Sequence, residues 1–442
     1  MSAVHFDTLI TGGHVLTMDA GFGEITNGAI AITGERISWI GSAEDARSLT
    51  ATSVLDAKGC LILPGLINTH CHAAMTMFRG LADDRPLQGF LNAVWAAEAD
   101  QVTPSSVAAA AALGAAEMAL GGVTHFVDMY WHPAATIAAA RKVGLSLTAG
   151  PVFVGFDGVD KTAWEDRLAR VPGFIAQFQG QPGLDLRLMP HAAYTLDSDK
   201  LRAVAGLAEA LGLGIHIHGA EAPWEMQMVA AQNDQQRPIG VFQKAGLLDR
   251  PLLIAHGVHL DEGDIDLLAR TGAAISHCPL SNAKLASGTA PVAALRARGV
   301  TVALGTDGAS SGNDLDMWKA MRHAGFMQIL ATGNPEILPA RELVAMATRE
   351  GAAALGIAAE TGTLMAGKRA DVIVIDLAAP HLTPSYDPYS TLVYAAGRDD
   401  VAHVFAAGRQ IVRSKRLCAD ISDDIARVQH IANTLKTRKD TA

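Results

Sequence analysis

Residues 61–307 carry eight short apolar runs separated by longer helical stretches, and this alternation most limits how the chain can fold. The runs are LILPGLINTH, VTHFVDM, LSLTAGPVFV, LRLMPHAAY, GIHIHGA, LLIAHGV, AAISHCP and TVALGTD. Between them lie stretches such as SSVAAAAALGAAEMALG, PAATIAAARKVG and KLRAVAGLAEALG. Strands alternating with helices build parallel βαβ units, because a parallel neighbour is reached only through a crossover. Eight such units fit a closed barrel. A doubly wound open sheet is the competing architecture, but no GxGxxG follows the first run and polar residues end nearly every run. Barrel strands converge by their C-termini on one face, where chemistry sits. The pattern predicts an α/β chain with a (β/α)8 TIM-like barrel.

The two ends read differently. DTLITGGHVLTMD, GAIAITGERISWIG and SVLDAKGCLILP near the start, and KRADVIVIDL and VAHVFAAGRQIVRS near the end, are short strands divided by Gly and Asn turns. At 442 residues the chain is long enough for one large barrel and a satellite. The expected division is residues 1–60 as the first part of a small composite β-sandwich, 61–361 as the catalytic barrel, and 362–442 as the second part of the sandwich with a C-terminal helix or tail.

Apolar residues at 49% and charged residues at 18% describe a globular chain. The net charge of −10 and the lack of a basic stripe argue against a nucleic-acid partner; the one basic cluster, Lys436 to Lys439, reads as a solvated end. No apolar run approaches the roughly 18 residues of a membrane span, and MSAVHFDTLI lacks the pattern of a signal peptide. Cys60, Cys71, Cys278 and Cys418 form no CxxC pair, which fits a reducing cytoplasm.

The first run ends His70-Cys71-His72. Positions i and i+2 of a strand face the same way, so both imidazoles can enter one cavity, and such a pair suits Zn2+ or Fe2+. An isolated HxH reads equally well as two surface histidines. Three later runs change that balance: the fifth ends His216-Ile217-His218-Gly219-Ala220-Glu221, the sixth at His256 and the eighth at Asp307. His216 and His218 share parity. The mouth-ward position favours His218 as a ligand, with His216 one layer deeper as a hydrogen-bonded core histidine. His125, His132, His259 and His277 lack partners at telling spacing, though His277, in HCPLSN, stands closest to a mouth. Cys71 and Cys278 read as packing residues.

LPGLINTHCHAAMTMFRGLADD, IHGAE, IAHGVHL, SHCPLSNAKLASGTAPV and LGTDGASSGNDLD together resemble the amidohydrolase superfamily, and within it the aminohydrolase branch that contains methylthioadenosine/S-adenosylhomocysteine deaminases. The resemblance covers nearly the whole chain. It implies one divalent metal, Zn2+ or Fe2+, held by His70, His72, His218 and Asp307, with Glu221 as proton shuttle and His256 orienting the attacking water. It also implies His191 as a substrate contact and Glu98 as the partner of ribose hydroxyls. Two places depart from the pattern. Phe90 stands where Trp is common, with the segment to Glu98 one residue shorter, and Leu145 to Glu165 holds no Arg for a homocysteine carboxylate.

The implied activity is hydrolytic deamination of an adenine nucleoside such as adenosine, 5′-methylthioadenosine or S-adenosylhomocysteine, in a protein compatible with homo-oligomers. One competing reading is an aminohydrolase of a free heterocycle: guanine, pterin, triazine or cytosine. Another is an inactive barrel used as a scaffold, against which the complete set of candidate ligands and acid/base groups speaks.

Overall fold

A computed structural model describes residues 5–439, so the first four residues of the expected N-terminal segment and the last three of the expected tail lie outside the described residues. Eight parallel positions form the barrel: Leu66–His72, Val123–Asp128, Ser146–Ala149 continued by Val152–Phe153, Leu184–Pro190, Gly214–Gly219, Leu252–His256, Ala274–His277, and Val302–Leu304 continued by Asp307–Gly308. Each pairs with its neighbour in that order. The eighth closes the ring, because Val302–Leu304 pairs with Ala274–His277 while Asp307–Gly308 pairs with the first strand. The linking residues bond both sides, Gly305 N to the His277 carbonyl at 2.9 Å and Thr306 N to the His70 carbonyl at 3.1 Å.

The barrel helices start and stop where their sequences provide caps. Thr103 and Ser106 form a reciprocal capping box for the helix Pro104–Leu120, and the Asp197 side chain caps Ser198–Leu211, which Gly212 ends in the left-handed region. The C-terminal helix Ser422–Lys439 buries Val428 and Ile431 in the same core and ties down through Lys142–Asp424 at 2.6 Å. Among the described residues no helix is long and apolar enough to cross a membrane.

The composite β domain is one nine-stranded sheet drawing strands from both ends of the chain. Its seam is the antiparallel pairing of Val372–Asp376 with Cys60–Pro64, around a core that includes Ile10, Ile30, Ile62, Val374 and Phe405. Here the structure divides a run that the sequence presents as one barrel strand. LILPGLINTH breaks at Gly65: residues up to Pro64 belong to the composite sheet, and Leu66 starts the barrel. A Cβ at Gly65 would sit 2.1 Å from Thr124 Oγ1, so only glycine passes there.

Gly150 interrupts the third strand under a similar constraint, since a Cβ would lie 1.7 Å from the Arg187 carbonyl oxygen of the fourth. Gly150→Ala is expected to cost about 1–3 kcal/mol of stability through forced backbone separation. A thermal melt matching the parent would contradict this packing.

Candidate active site

His70 and His72 project from the first strand into the barrel, both buried. Their tautomers follow from their partners. His216 Nδ1 lies 3.0 Å from the Leu253 carbonyl, which can only accept, so that nitrogen carries the hydrogen. Burial lowers the His216 pKa well below the usual histidine value, and the neutral ring leaves Nε2 as an acceptor. His70 Nδ1, 2.8 Å away, therefore donates to it, leaving the His70 Nε2 lone pair free. His72 Nδ1 donates to the Met129 carbonyl at 2.6 Å and His218 Nδ1 to the His191 carbonyl at 2.8 Å. All three Nε2 lone pairs point to one place.

Those three nitrogens lie within 4.8 Å of one another, and those of His72 and His218 are 3.4 Å apart. Two Zn–N bonds of 2.0–2.1 Å at a tetrahedral angle set nitrogens about 3.3 Å apart. His70 Nε2 is buried without a hydrogen-bond partner. Asp307 Oδ1 completes the group, 3.1 Å from His72 Nε2 and 3.5 Å from His70 Nε2. Its Oδ2 accepts hydrogen bonds from Ser281 Oγ at 2.6 Å and Ser311 Oγ at 2.7 Å, which orients Oδ1 inward. Converging lone pairs and a carboxylate repel unless a cation lies between them, so this donor set fits a divalent metal.

Beside this cluster, Glu221 is buried at the end of the fifth strand, and desolvation raises its pKa above the usual glutamate value. Its backbone is held by Glu225, whose carboxylate accepts from Ala220 N at 3.1 Å and Glu221 N at 2.6 Å. His256 Nδ1 meets Asn282 Oδ1 at 2.9 Å, and its Nε2 faces Glu221 Oε1 at 3.8 Å. Ala220, His256 and Asp307 have φ of +54°, +76° and +59°. Left-handed backbone at three non-glycine strand ends is costly and concentrates where function needs it.

A cavity of about 270 Å³ opens above the cluster. His72, Glu98, His191, His218, Glu221, His256 and Asp307 all line it, while His70 lies beneath and His216 one layer deeper. Glu98 reaches it from the helix Leu87–Gln101 despite the shortened segment, and accepts from the Tyr130 hydroxyl at 2.6 Å. Burial pushes its carboxyl up to about 7, with Tyr130 and Trp131 opposing. His191 Nδ1 bonds Thr195 Oγ1 at 3.1 Å.

The structure does not bring His125, His132, His259 or His277 to the cavity lining. His277 is buried with both ring nitrogens unpartnered, and His125 bonds Thr148 on the third strand. Cys71 and Cys278 are buried free thiols. Sequence reasoning missed Ser281, Asn282 and Ser311, which hold Asp307 and His256, and Glu225, which holds the Glu221 backbone. The signals were there: Ser281 and Asn282 close the HCPLSN motif, and Glu225 follows Glu221 by four residues, in the first turn of the helix Pro223–Gln232.

The His216 relay has a measurable consequence. His216→Ala is expected to weaken metal affinity about 10–100-fold without abolishing it, the usual effect of removing a ligand's hydrogen-bond partner. Unchanged affinity in a competition titration against a chelator would contradict the relay.

A model of the amidohydrolase family matches residues 61–411. The chain is 39% identical to the 5-methylthioadenosine/S-adenosylhomocysteine deaminase of Syntrophobacter fumaroxidans, over 99% of this chain and 100% of that one. It is 38% identical to the 5′-deoxyadenosine deaminase of Methanosarcina mazei, over 98% and 99% respectively. The crystal structure of an adenosine deaminase from Xanthomonas campestris with bound zinc superposes with a TM-score of 0.95 at 32% identity, over 98% of this chain and 100% of that one. With the family model across most of the barrel and relatives matched end to end, the chain belongs to the amidohydrolase family.

Proposed function

We propose that the chain is a metal-dependent hydrolytic deaminase acting on an adenine nucleoside and releasing ammonia. One observation carries the reading: a single cavity has three imidazole lone pairs and Asp307 at its floor, buried Glu221 beside them, and Glu98 on its side wall. The names of the relatives agree with it.

His70, His72, His218 and Asp307 hold the ion. A divalent ion such as Zn2+ or Fe2+ supplies Lewis acidity that makes water a nucleophile near neutral pH. The chain's own groups do the rest. Asp307 takes a proton at Oδ1 while Ser281 and Ser311 keep Oδ2 engaged. His256, its Nδ1 fixed by Asn282, orients the attacking water with Nε2. Glu221 takes one of the attacking water's two protons and delivers it to a ring nitrogen as C6 becomes tetrahedral. The other, held by Asp307, reaches the exocyclic nitrogen, so the C6–N bond breaks, ammonia leaves and C6 keeps the water oxygen as a carbonyl. Burial suits Glu221 to this work, since desolvation raises its pKa above the usual glutamate value and makes the carboxylate a better proton acceptor. His191 contacts the base, and Glu98 accepts from the ribose hydroxyls.

Glu98→Ala is expected to lower kcat/KM for nucleosides about 10–100-fold, the loss of charge-assisted hydrogen bonds worth roughly 1.5–3 kcal/mol. The sign of its pH dependence follows from its raised pKa. As pH falls through about 7, Glu98 gains a proton and loses acceptor capacity, so KM for nucleosides rises on the acid side. Glu98→Gln should flatten that rise. Unchanged nucleoside turnover in Glu98→Ala would remove the ribose role.

The reading as a whole is tested by ammonia release across adenosine, methylthioadenosine, S-adenosylhomocysteine, guanine, cytosine and pterins. Release from adenine nucleosides is expected. Release confined to free heterocycles would replace the nucleoside by a bare ring.

A further inference from the structure

The cavity has two chemically opposite ends. Its floor is polar, while its mouth is built from apolar side chains of two elements. On the helix Leu87–Gln101, residues three or four apart share a face. Starting at Glu98, the cavity-lining face runs through Trp95 and Leu91 to Leu87, away from the imidazoles. Across the opening, the segment after the third strand contributes Phe156 and Val159. Trp95 and Phe156 meet there with ring centroids 6.3 Å apart, and Phe156 is 51% exposed. A large aromatic left half in water at a cavity mouth is poised to be covered by something apolar.

Charge is missing from the same place. No Lys or Arg is among the cavity-lining residues. Of the nearby cations, Lys161 is exposed and off the lining. Arg167 is buried behind Trp131, its guanidinium 5.6 Å from that ring's centroid. It donates to both Asp160 oxygens, at 2.8 and 3.0 Å, and to the carbonyls of Asp157 at 3.0 Å and Thr162 at 3.1 Å. Its charge is spent on the loop that presents Phe156 and Val159, so it shapes the apolar wall and does not face a ligand. Arg85, two residues before Leu87, is exposed and off the lining like Lys161. An amino-acid carboxylate drawn into this mouth would find no cation among the lining residues, and burying it unpaired is strongly unfavourable.

We propose that the mouth is the subsite for the nucleoside's 5′ substituent, and that it selects a neutral apolar group, an alkylthio or deoxy carbon, over a hydroxyl and over an amino-acid zwitterion. The assignment rests on the adenine-nucleoside reading. With the base at the imidazole end and the ribose hydroxyls on Glu98, the 5′ carbon lies on the mouth side, between Trp95 and Phe156.

The test is steady-state kinetics of the metal-loaded chain on adenosine, 5′-deoxyadenosine, 5′-methylthioadenosine and S-adenosylhomocysteine. Methylthioadenosine should exceed adenosine in kcat/KM by about tenfold or more and S-adenosylhomocysteine by about 100-fold, the scale set by one apolar or polar group in an apolar pocket. Calorimetric binding to the Glu221→Gln variant should give the same order, which separates the subsite from the chemistry. Trp95→Ala should lower the methylthioadenosine-to-adenosine ratio at least about fivefold. Phe156→Arg, at a half-exposed position that tolerates the change, should shift the ratio toward S-adenosylhomocysteine by a similar factor. Equal kcat/KM for all four nucleosides, or ratios unmoved in both variants, would overturn the subsite while leaving the deaminase reading standing. Failure to deaminate any adenine nucleoside would remove both.

Discussion

Glu221→Gln should retain bound metal and bind nucleoside about as well as the parent, yet lose turnover by about 10²–10⁴-fold. The amide matches the carboxylate in size, and the Glu221 backbone is held by Glu225 and not by the altered side chain. The loop therefore keeps its place and only proton traffic stops. A loss in kcat with KM nearly unchanged marks a group needed for the transition state and not for binding. Turnover within about threefold of the parent, measured as ammonia release at saturating nucleoside, would end the assignment of Glu221 as shuttle. Loss of metal in the same variant would instead make its role structural.

The second large effect concerns the metal set. His218→Ala removes one of three converging lone pairs and leaves His72 Nε2 facing an empty space where it now has a neighbour at 3.4 Å. Metal per chain should fall well below the parent's value of about one after dialysis, because only His70, His72 and Asp307 remain of the four protein ligands and one corner of the tetrahedral set is lost. Turnover should fall by at least about 10³-fold, and added Zn2+ should restore only a small part. The contrast with His216→Ala is the sharper reading, since the two residues lie on one strand, two apart, and face the same way. A full metal complement in His218→Ala, together with a metal-free His216→Ala, would invert the depth order and require a different set of ligands.

Much of this site was legible before any coordinates, and the reason is periodicity. A strand repeats every two residues, so His70 and His72 had to share a face, and the barrel rule places strand ends on one rim. Depth along a strand is also a matter of order, so His216 could be set beneath His218. The supporting groups are harder to read. Ser281, Asn282, Ser311 and Glu225 act through hydrogen bonds whose partners are set by tertiary packing, so motif or spacing marks some of them as neighbours of the site without saying what they hold. The break at Gly65 escaped for another reason: an apolar run reads alike in a barrel and in a composite sheet. Trp95 and Phe156 come from different elements, and only their meeting at 6.3 Å makes a mouth.

Arg167 shows how position in sequence and position in space part company. A search for a carboxylate-binding Arg between Leu145 and Glu165 finds none, and two residues further on Arg167 stands near the right wall. Its two terminal nitrogens are engaged by Asp160 and by the carbonyls of Asp157 and Thr162, behind the Trp131 ring, so proximity does not make it a ligand group. The absence of an exposed cation in the cavity is the stronger statement, because it holds for every lining residue.

The central claim is hydrolysis at C6 of an adenine nucleoside, and the most direct measurement of it is mass spectrometry of the product formed from methylthioadenosine in ¹⁸O-labelled water by the zinc-loaded chain. The account predicts an intact nucleoside whose base carries one solvent oxygen in place of the amino group, with ammonia formed in equal amount. Recovery of unlabelled nucleoside, or of free adenine from cleavage of the glycosidic bond, would contradict it.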